Sequence, residues 1–312
     1  MRSFQIALLI FTACSASATP ACVETYGSTR TTYTCSGFTT HEDFDRYVSR
    51  DFPPHQYPDI TFVLKDSRLD YIPPSAFIDT RASTLVFSNV QVSSLPEVGQ
   101  GVHPFHGVSS WLKRIEYRNG SSVPGTWRLL QPLTKLQALV FRNMPQLQLT
   151  EDFNSLPLNL KKIDIKNSTI RTVRPGWLSQ LANLEELVVK GTNLNTLDRS
   201  MLPSPATKLT SLDLRHNELT SLPEDLTRDA PSLRTLNLAS NKITSFNEES
   251  FGPLRENQNA TVNLEGNPLN CDCHARFLSS VPNSWTSPAC QSPERLRGRQ
   301  VKQIGISQLL CD

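Results

Sequence analysis

After its first eighteen residues the chain has no apolar run approaching the ~20 residues that a bilayer span needs. It has no excess of charge of one sign: 31 Lys and Arg stand against 29 Asp and Glu, for a net +2. That balance gives no global attraction to nucleic acid, and none is expected as a partner. Only 13 of 312 residues are glycine, and none forms a phosphate-cradling loop. No serine sits in a nucleophile-elbow context. The histidine pair in "HPFH" (103–106) has no carboxylate or cysteine placed beside it, so a plain loop is expected there and no metal. Together these absences predict a chain that is not an enzyme and carries no cofactor. A last absence concerns position: no cysteine lies between Cys35 and Cys271.

What is present begins with the N-terminus, MRSFQIALLIFTACSASA. A cation at Arg2, an apolar run from Phe4 to Phe11 and Ala16-Ser17-Ala18 read as a secretory signal peptide over 1–18. Cys14 leaves with it. Six cysteines remain, an even number that reads as disulfides in an oxidising, extracellular compartment. Cys22 and Cys35 sit at the start of the mature chain, and Cys271, Cys273, Cys290 and Cys311 at its end. Staples confined to the two ends predict a repetitive middle with special caps.

The middle repeats. "LTSLDLRHNEL" (209–219), "LRTLNLASNKI" (233–243) and "NATVNLEGNPL" (259–269) share L-x-x-L-x-L-x-x-N-x-L, and the frame extends back to units beginning at 59, 82, 112, 136, 160 and 184. The fourth and sixth positions alternate with polar neighbours, the periodicity of a strand buried on one face. Each unit is too short to bury that face alone, so it stacks on the next. A second apolar residue at a fixed offset (Phe77, Phe153, Trp177, Met201, Leu226, Phe251, with Trp127 slightly out of phase) predicts a spine behind the sheet. The expectation is an α/β solenoid with a parallel sheet on its concave side: an N-terminal cap over 19–58, nine repeats over 59–269 and a C-terminal cap over 270–312. In the N-terminal cap, "VETYGSTRTTYT" between Cys22 and Cys35 predicts a disulfide-closed hairpin. A short helix follows, capped by Thr39 or Thr40 and lined by Phe44, Tyr47 and Val48.

Cys271-x-Cys273 follows the last repeat at once, where a raw apolar end needs a cover. Zinc is the alternative use of a cysteine–histidine cluster, but no second closely spaced ligand pair is present. Four cysteines allow three connectivities. Asn267, Pro268, Cys271, Cys273, Cys290, Pro293, Leu296, Gly298 and Cys311 resemble the C-terminal cap of extracellular leucine-rich-repeat proteins with cysteine-flanked ends. That resemblance implies a horseshoe fold with Cys271–Cys290 and Cys273–Cys311 as pairs. The N-terminal cap departs from the family: it has two cysteines where four are common, which argues against the matrix proteoglycans. Soluble arthropod chains of the same architecture include the non-catalytic subunit of a secreted crustacean luciferase.

The third, fifth and seventh positions of each unit face the concave side. The seventh carries Arg118, Arg142, Lys166, Lys190 and Arg215 in units three to seven, and the fifth alternates Glu116, Val140, Asp164, Val188 and Asp213. Val140 and Val188 are read as exposed contact points, and Arg142 and Lys190 as the least neutralised cations, with Glu186 a partial offset to Lys190. The row is the candidate contact face for an extracellular protein or acidic glycan. A secreted enzyme subunit is the second candidate partner and a matrix role the third. Asn119, Asn167 and Asn259 match the N-glycosylation pattern. Asn119 and Asn167 share one rim, whereas Asn259 holds a position normally given to a core leucine and is expected to be incompletely modified. His216 is read as a solvated edge residue.

Overall fold

The computed structural model describes residues 19–48, 59–78, 80–94 and 103–311. Residues 1–18, read from the sequence as a signal peptide, residues 49–58 of the expected N-terminal cap and part of the long second unit lie outside the described residues. Twelve strands form one sheet whose neighbours follow chain order. The first pair, Ala21–Tyr26 and Arg30–Ser36, is antiparallel, and every later pairing is parallel. Nine of the strands come from the nine units, from Asp59–Leu69 to Thr261–Asn263.

The packing follows from the alternation. All eighteen side chains at the fourth and sixth positions are at most 3% exposed. Behind them Phe77, Phe153, Trp177, Leu226 and Phe251 are buried, and Trp127 joins the spine with its ring 4.8 Å from Phe153. The convex connections are short 3₁₀ turns such as Trp127–Leu130, Glu151–Ser155 and Glu248–Phe251. A turn this short brings the chain back to the next strand within one repeat.

The eighth position carries a positive φ in all nine units, at Asp66, Asn89, Asn119, Asn143, Asn167, Gly191, His216, Ser240 and Gly266. This left-handed residue ends each strand, and short polar side chains or glycine tolerate it best. At Gly191 a Cβ would lie 2.9 Å from Asn167 Oδ1, so a side chain there would have to displace that amide as well as adopt the left-handed backbone. His216 has φ +56° and is exposed, a solvated position as expected.

The ends are closed differently. Cys22 and Cys35 face each other across the hairpin and are disulfide-bonded. The helix Glu42–Tyr47 buries Phe44 against Phe38, but neither threonine caps it. The Asp43 carboxylate reaches back and accepts from the Thr39 and Thr40 amides at 2.8 and 3.1 Å, so the first turn supplies the acceptor and the threonines the donors. At the other end Cys271 bonds to Cys290 and Cys273 to Cys311. Trp285–Thr286 adds a twelfth strand beyond residue 269, and the Trp285 ring packs 5.3 Å from Phe251, covering the last repeat.

Candidate functional site

The concave face of units three to seven is built on a floor of fifth-position side chains. Strand register sets Glu116, Val140 and Asp164 side by side, then Val188 and Asp213. Glu116 and Asp164 are 4% and 3% exposed, Val140 is fully buried and Val188 is 8% exposed. The valines are therefore not the exposed contact points expected from alternation. In a concave sheet the neighbouring strands crowd this column, and the long seventh-position side chains fold back over it.

Arg142 shows how. Its guanidinium donates to Asp164 Oδ1 at 2.9 Å and Oδ2 at 2.7 Å, and to the Phe141 and Asp164 carbonyls, each at 3.0 Å. Its Nε lies 4.0 Å from Glu116 on the opposite neighbouring strand. The side chain thus bridges two acids across Val140 and seals it. Arg142 is the most neutralised cation of the row, not among the least. The sequence pairing looked only two residues back along one strand, whereas the arginine reaches across to the next.

The other members behave as strand spacing suggests. Arg118 donates to Glu116 at 2.8 Å, and Arg114 to its other oxygen at 3.2 Å. Lys166 lies 3.3 Å from Asp164 and Arg215 3.1 Å from Asp213. Glu186 does not offset Lys190, because it is ion-paired with Lys162 on the preceding strand. Among the described residues Lys190 has no ion-pair partner, so the row narrows to one uncommitted cation flanked by half-exposed paired ones.

Burial alone would raise the Glu116 carboxyl, but hydrogen bonds and charge from Arg118 and Arg114 outweigh it and hold it below the ordinary range. Asp164 is likewise held down by Arg142 and Lys166 against its own burial. Both acids are ionised and committed, so what this face offers a partner is cationic.

The remaining candidates separate. Asn119 and Asn167 are exposed at left-handed positions on one rim. Asn259 is exposed too: Ala260 takes the core place and is fully buried, which removes the reason to expect incomplete modification. His103 accepts from the Phe105 amide at 3.2 Å, and burial with the nearby His106 lowers its pKa. The Cys273, His274 and Cys311 side chains cluster, but both sulfurs are spent on the disulfide.

Sequence reasoning also missed a buried ladder behind the floor. Asn217, Asn241 and Asn267 each donate to two backbone carbonyls and accept a backbone N–H from the unit before. The recurring N of the motif was its signal. In the first half Ser67, Ser121 and Ser168 do a smaller version of the same work.

A family model for the leucine rich repeat matches residues 207–269. Among curated proteins the chain is 29% identical to Toll-like receptor 9 of Mus musculus, over 48% of this chain and 15% of that one. It is 27% identical to the Oplophorus-luciferin 2-monooxygenase non-catalytic subunit of Oplophorus gracilirostris, over 57% of this chain and 50% of that one. The chain thus spans half or less of the length of these relatives. Among solved structures, a TLR13–ssRNA complex aligns with a TM-score of 0.56 at 22% identity, over 73% of this chain and 31% of that one. A complex of latrophilin 3, Unc5D and FLRT2 (LRR) aligns at 0.54 and 18%, over 81% and 83%. Those likenesses concern the fold alone. With nine stacked units, a continuous parallel sheet and the repeat motif matched over residues 207–269, the chain folds as a leucine-rich-repeat solenoid.

Proposed function

We propose that the protein is a secreted, non-enzymatic recognition scaffold that holds an extracellular protein through the concave face of units three to seven. The observation that carries this reading is the cationic row over a buried acidic floor. Arg118, Lys166 and Arg215 are half-exposed and lie against carboxylates, while Lys190 has no ion-pair partner among the described residues. Side chains held in place before binding lose less entropy on contact. Exposed guanidinium and ammonium groups then select an acidic partner surface. Arg142, Val140 and Val188 support the face from beneath, and the first of these is a brace rather than a contact.

The likeness to the Oplophorus subunit favours a second reading, in which the partner is a secreted enzyme and this chain its non-catalytic subunit. One experiment addresses both. The glycosylated protein is used to capture partners from native fluid, and the captured species are compared with those of an Arg118→Glu/Lys190→Glu variant. A single stoichiometric enzyme lost with the variant favours the subunit reading, and non-enzymatic partners lost with it favour the scaffold reading. Capture unaffected by the variant removes the concave row from both.

A further inference from the structure

The two rims of the sheet differ in chemistry. At the strand ends the left-handed column carries Asn, Asp, Gly, His and Ser, with no cation and with the Asn119 and Asn167 sequons. At the strand starts, exposed cations recur in units three, four, five, seven and eight (Lys113, Lys135, Lys161, Lys208 and Arg234), with Glu185 in unit six. Between units four and seven this second rim is hollowed into a groove of about 430 Å³. It is lined by Thr134, Lys135, Gln137, Asn159, Lys161, Asn183, Glu185 and Lys208, with no aromatic residue and no aliphatic one.

The lining is free to bind. The groove's backbone is satisfied internally, since each second-position carbonyl accepts two amides from the next unit, as Gln137 O does from Lys161 and Lys162. Asn159 and Asn183 donate to the Thr134 and Leu158 carbonyls at 2.7 and 3.0 Å, which fixes both amides on the rim. Three lysines face one glutamate. That glutamate pairs with Lys161 at 2.8 Å, but both side chains are about half exposed, so the pair is weak and exchangeable. Lys135 and Lys208 have no ion-pair partner among the described residues.

We infer that this groove binds a sulfated or otherwise anionic oligosaccharide. An acidic protein segment would want an apolar or aromatic anchor at the centre of its contact, and the groove has none. Ammonium groups alternating with fixed amides instead suit a chain that alternates anions with hydroxyls. The groove crosses three repeat steps, about 14 Å at the ~4.8 Å strand spacing. The Asn119 and Asn167 sequons stand on the opposite rim, and Asn259 lies two units beyond Lys208, so glycans there leave the groove open. The inference rests on the proposed extracellular setting but not on the concave contact.

The test measures binding of a heparin octasaccharide to the intact secreted protein by calorimetry, with its desulfated form and a poly-glutamate of equal charge as comparisons. Two triple variants remove the same charge, Lys135→Ala/Lys161→Ala/Lys208→Ala in the groove and Arg118→Ala/Lys190→Ala/Arg215→Ala on the concave face. The expected result is sulfate-dependent binding that the groove triple weakens at least about tenfold and the concave triple less than about threefold. Lys208→Gln alone, expected to weaken binding about twofold to threefold, serves if the groove triple folds poorly. No binding by the unmodified protein, equal losses in both triples, or equal affinity for poly-glutamate would overturn the inference. Partner capture through the concave face is read separately, so either proposal can fail without the other.

Discussion

Units three to six and units seven to nine share one sheet but are held together differently. The first group has strands of five residues, as in Ala138–Arg142, and the second has strands of three, as in Thr235–Asn237. In the second group a buried asparagine replaces the missing ladder bonds: Asn241 alone ties the Leu214 and Leu238 carbonyls and the Leu219 amide. In the first group a serine such as Ser168 ties one amide and one carbonyl. The floor differs as well. Asn237 and Asn263 use their fifth-position oxygens to accept the seventh-position amides of their own loops, whereas Glu116 collects Arg114 and Arg118 of its own strand and Asp164 collects Lys166 of its own strand and Arg142 of the preceding one. The units that conform to the repeat motif spend these polar groups on their own backbone, whereas the units that depart from it carry charge on the concave face.

This contrast yields an ordered set of expectations. Asn241→Ala should cost the most, about 3 kcal/mol or more, because three buried backbone groups lose their partner at once. Ser168→Ala, which frees two, should cost about half as much in the same urea titration. Equal losses would erase the distinction between the halves. Arg142→Ala should follow at about 2 kcal/mol, since it leaves the Asp164 carboxylate buried with only Lys166 beside it. The corresponding change at Lys190 should cost under about 0.5 kcal/mol, because its side chain holds nothing in place.

A smaller effect should appear with pH. Glu116 and Asp164 titrate below the ordinary carboxylate value in the folded protein. Their stabilisation is therefore complete above about pH 5 and is lost as pH falls from there through their lowered values. Urea midpoints at pH 7, 4 and 3 should show a steeper acid loss in the parent than in Arg142→Ala. A variant with the parent's acid slope would mean that Arg142 does not hold Asp164 down.

The solenoid was legible because its core is periodic: every fourth and sixth position could be read as buried from its neighbours alone. The positions of the cysteines pointed to the closed ends for a similar reason, since an odd placement has few uses. The concave site was legible as a row but not as a network. Strand periodicity tells which face Arg142 is on, but not that it crosses to Asp164, because lateral partners depend on side-chain reach between strands. The same blindness made Val140 seem exposed, and it concealed the pairing of Glu186 with Lys162 that withholds this carboxylate from Lys190. The exposure of Asn259 was not legible because a one-residue shift lets Ala260 take the core position.

The central claim is that the concave row divides into a brace and contacts, and partner affinity tests it most directly. Once a partner has been captured, its dissociation constant is measured for the parent, for Lys190→Glu and for a charge reversal on the convex side, Arg228→Glu. The account predicts a loss of at least about tenfold for Lys190→Glu, equivalent to about 1.4 kcal/mol, with unchanged melting and no loss for Arg228→Glu. Equal affinity for all three proteins would contradict it.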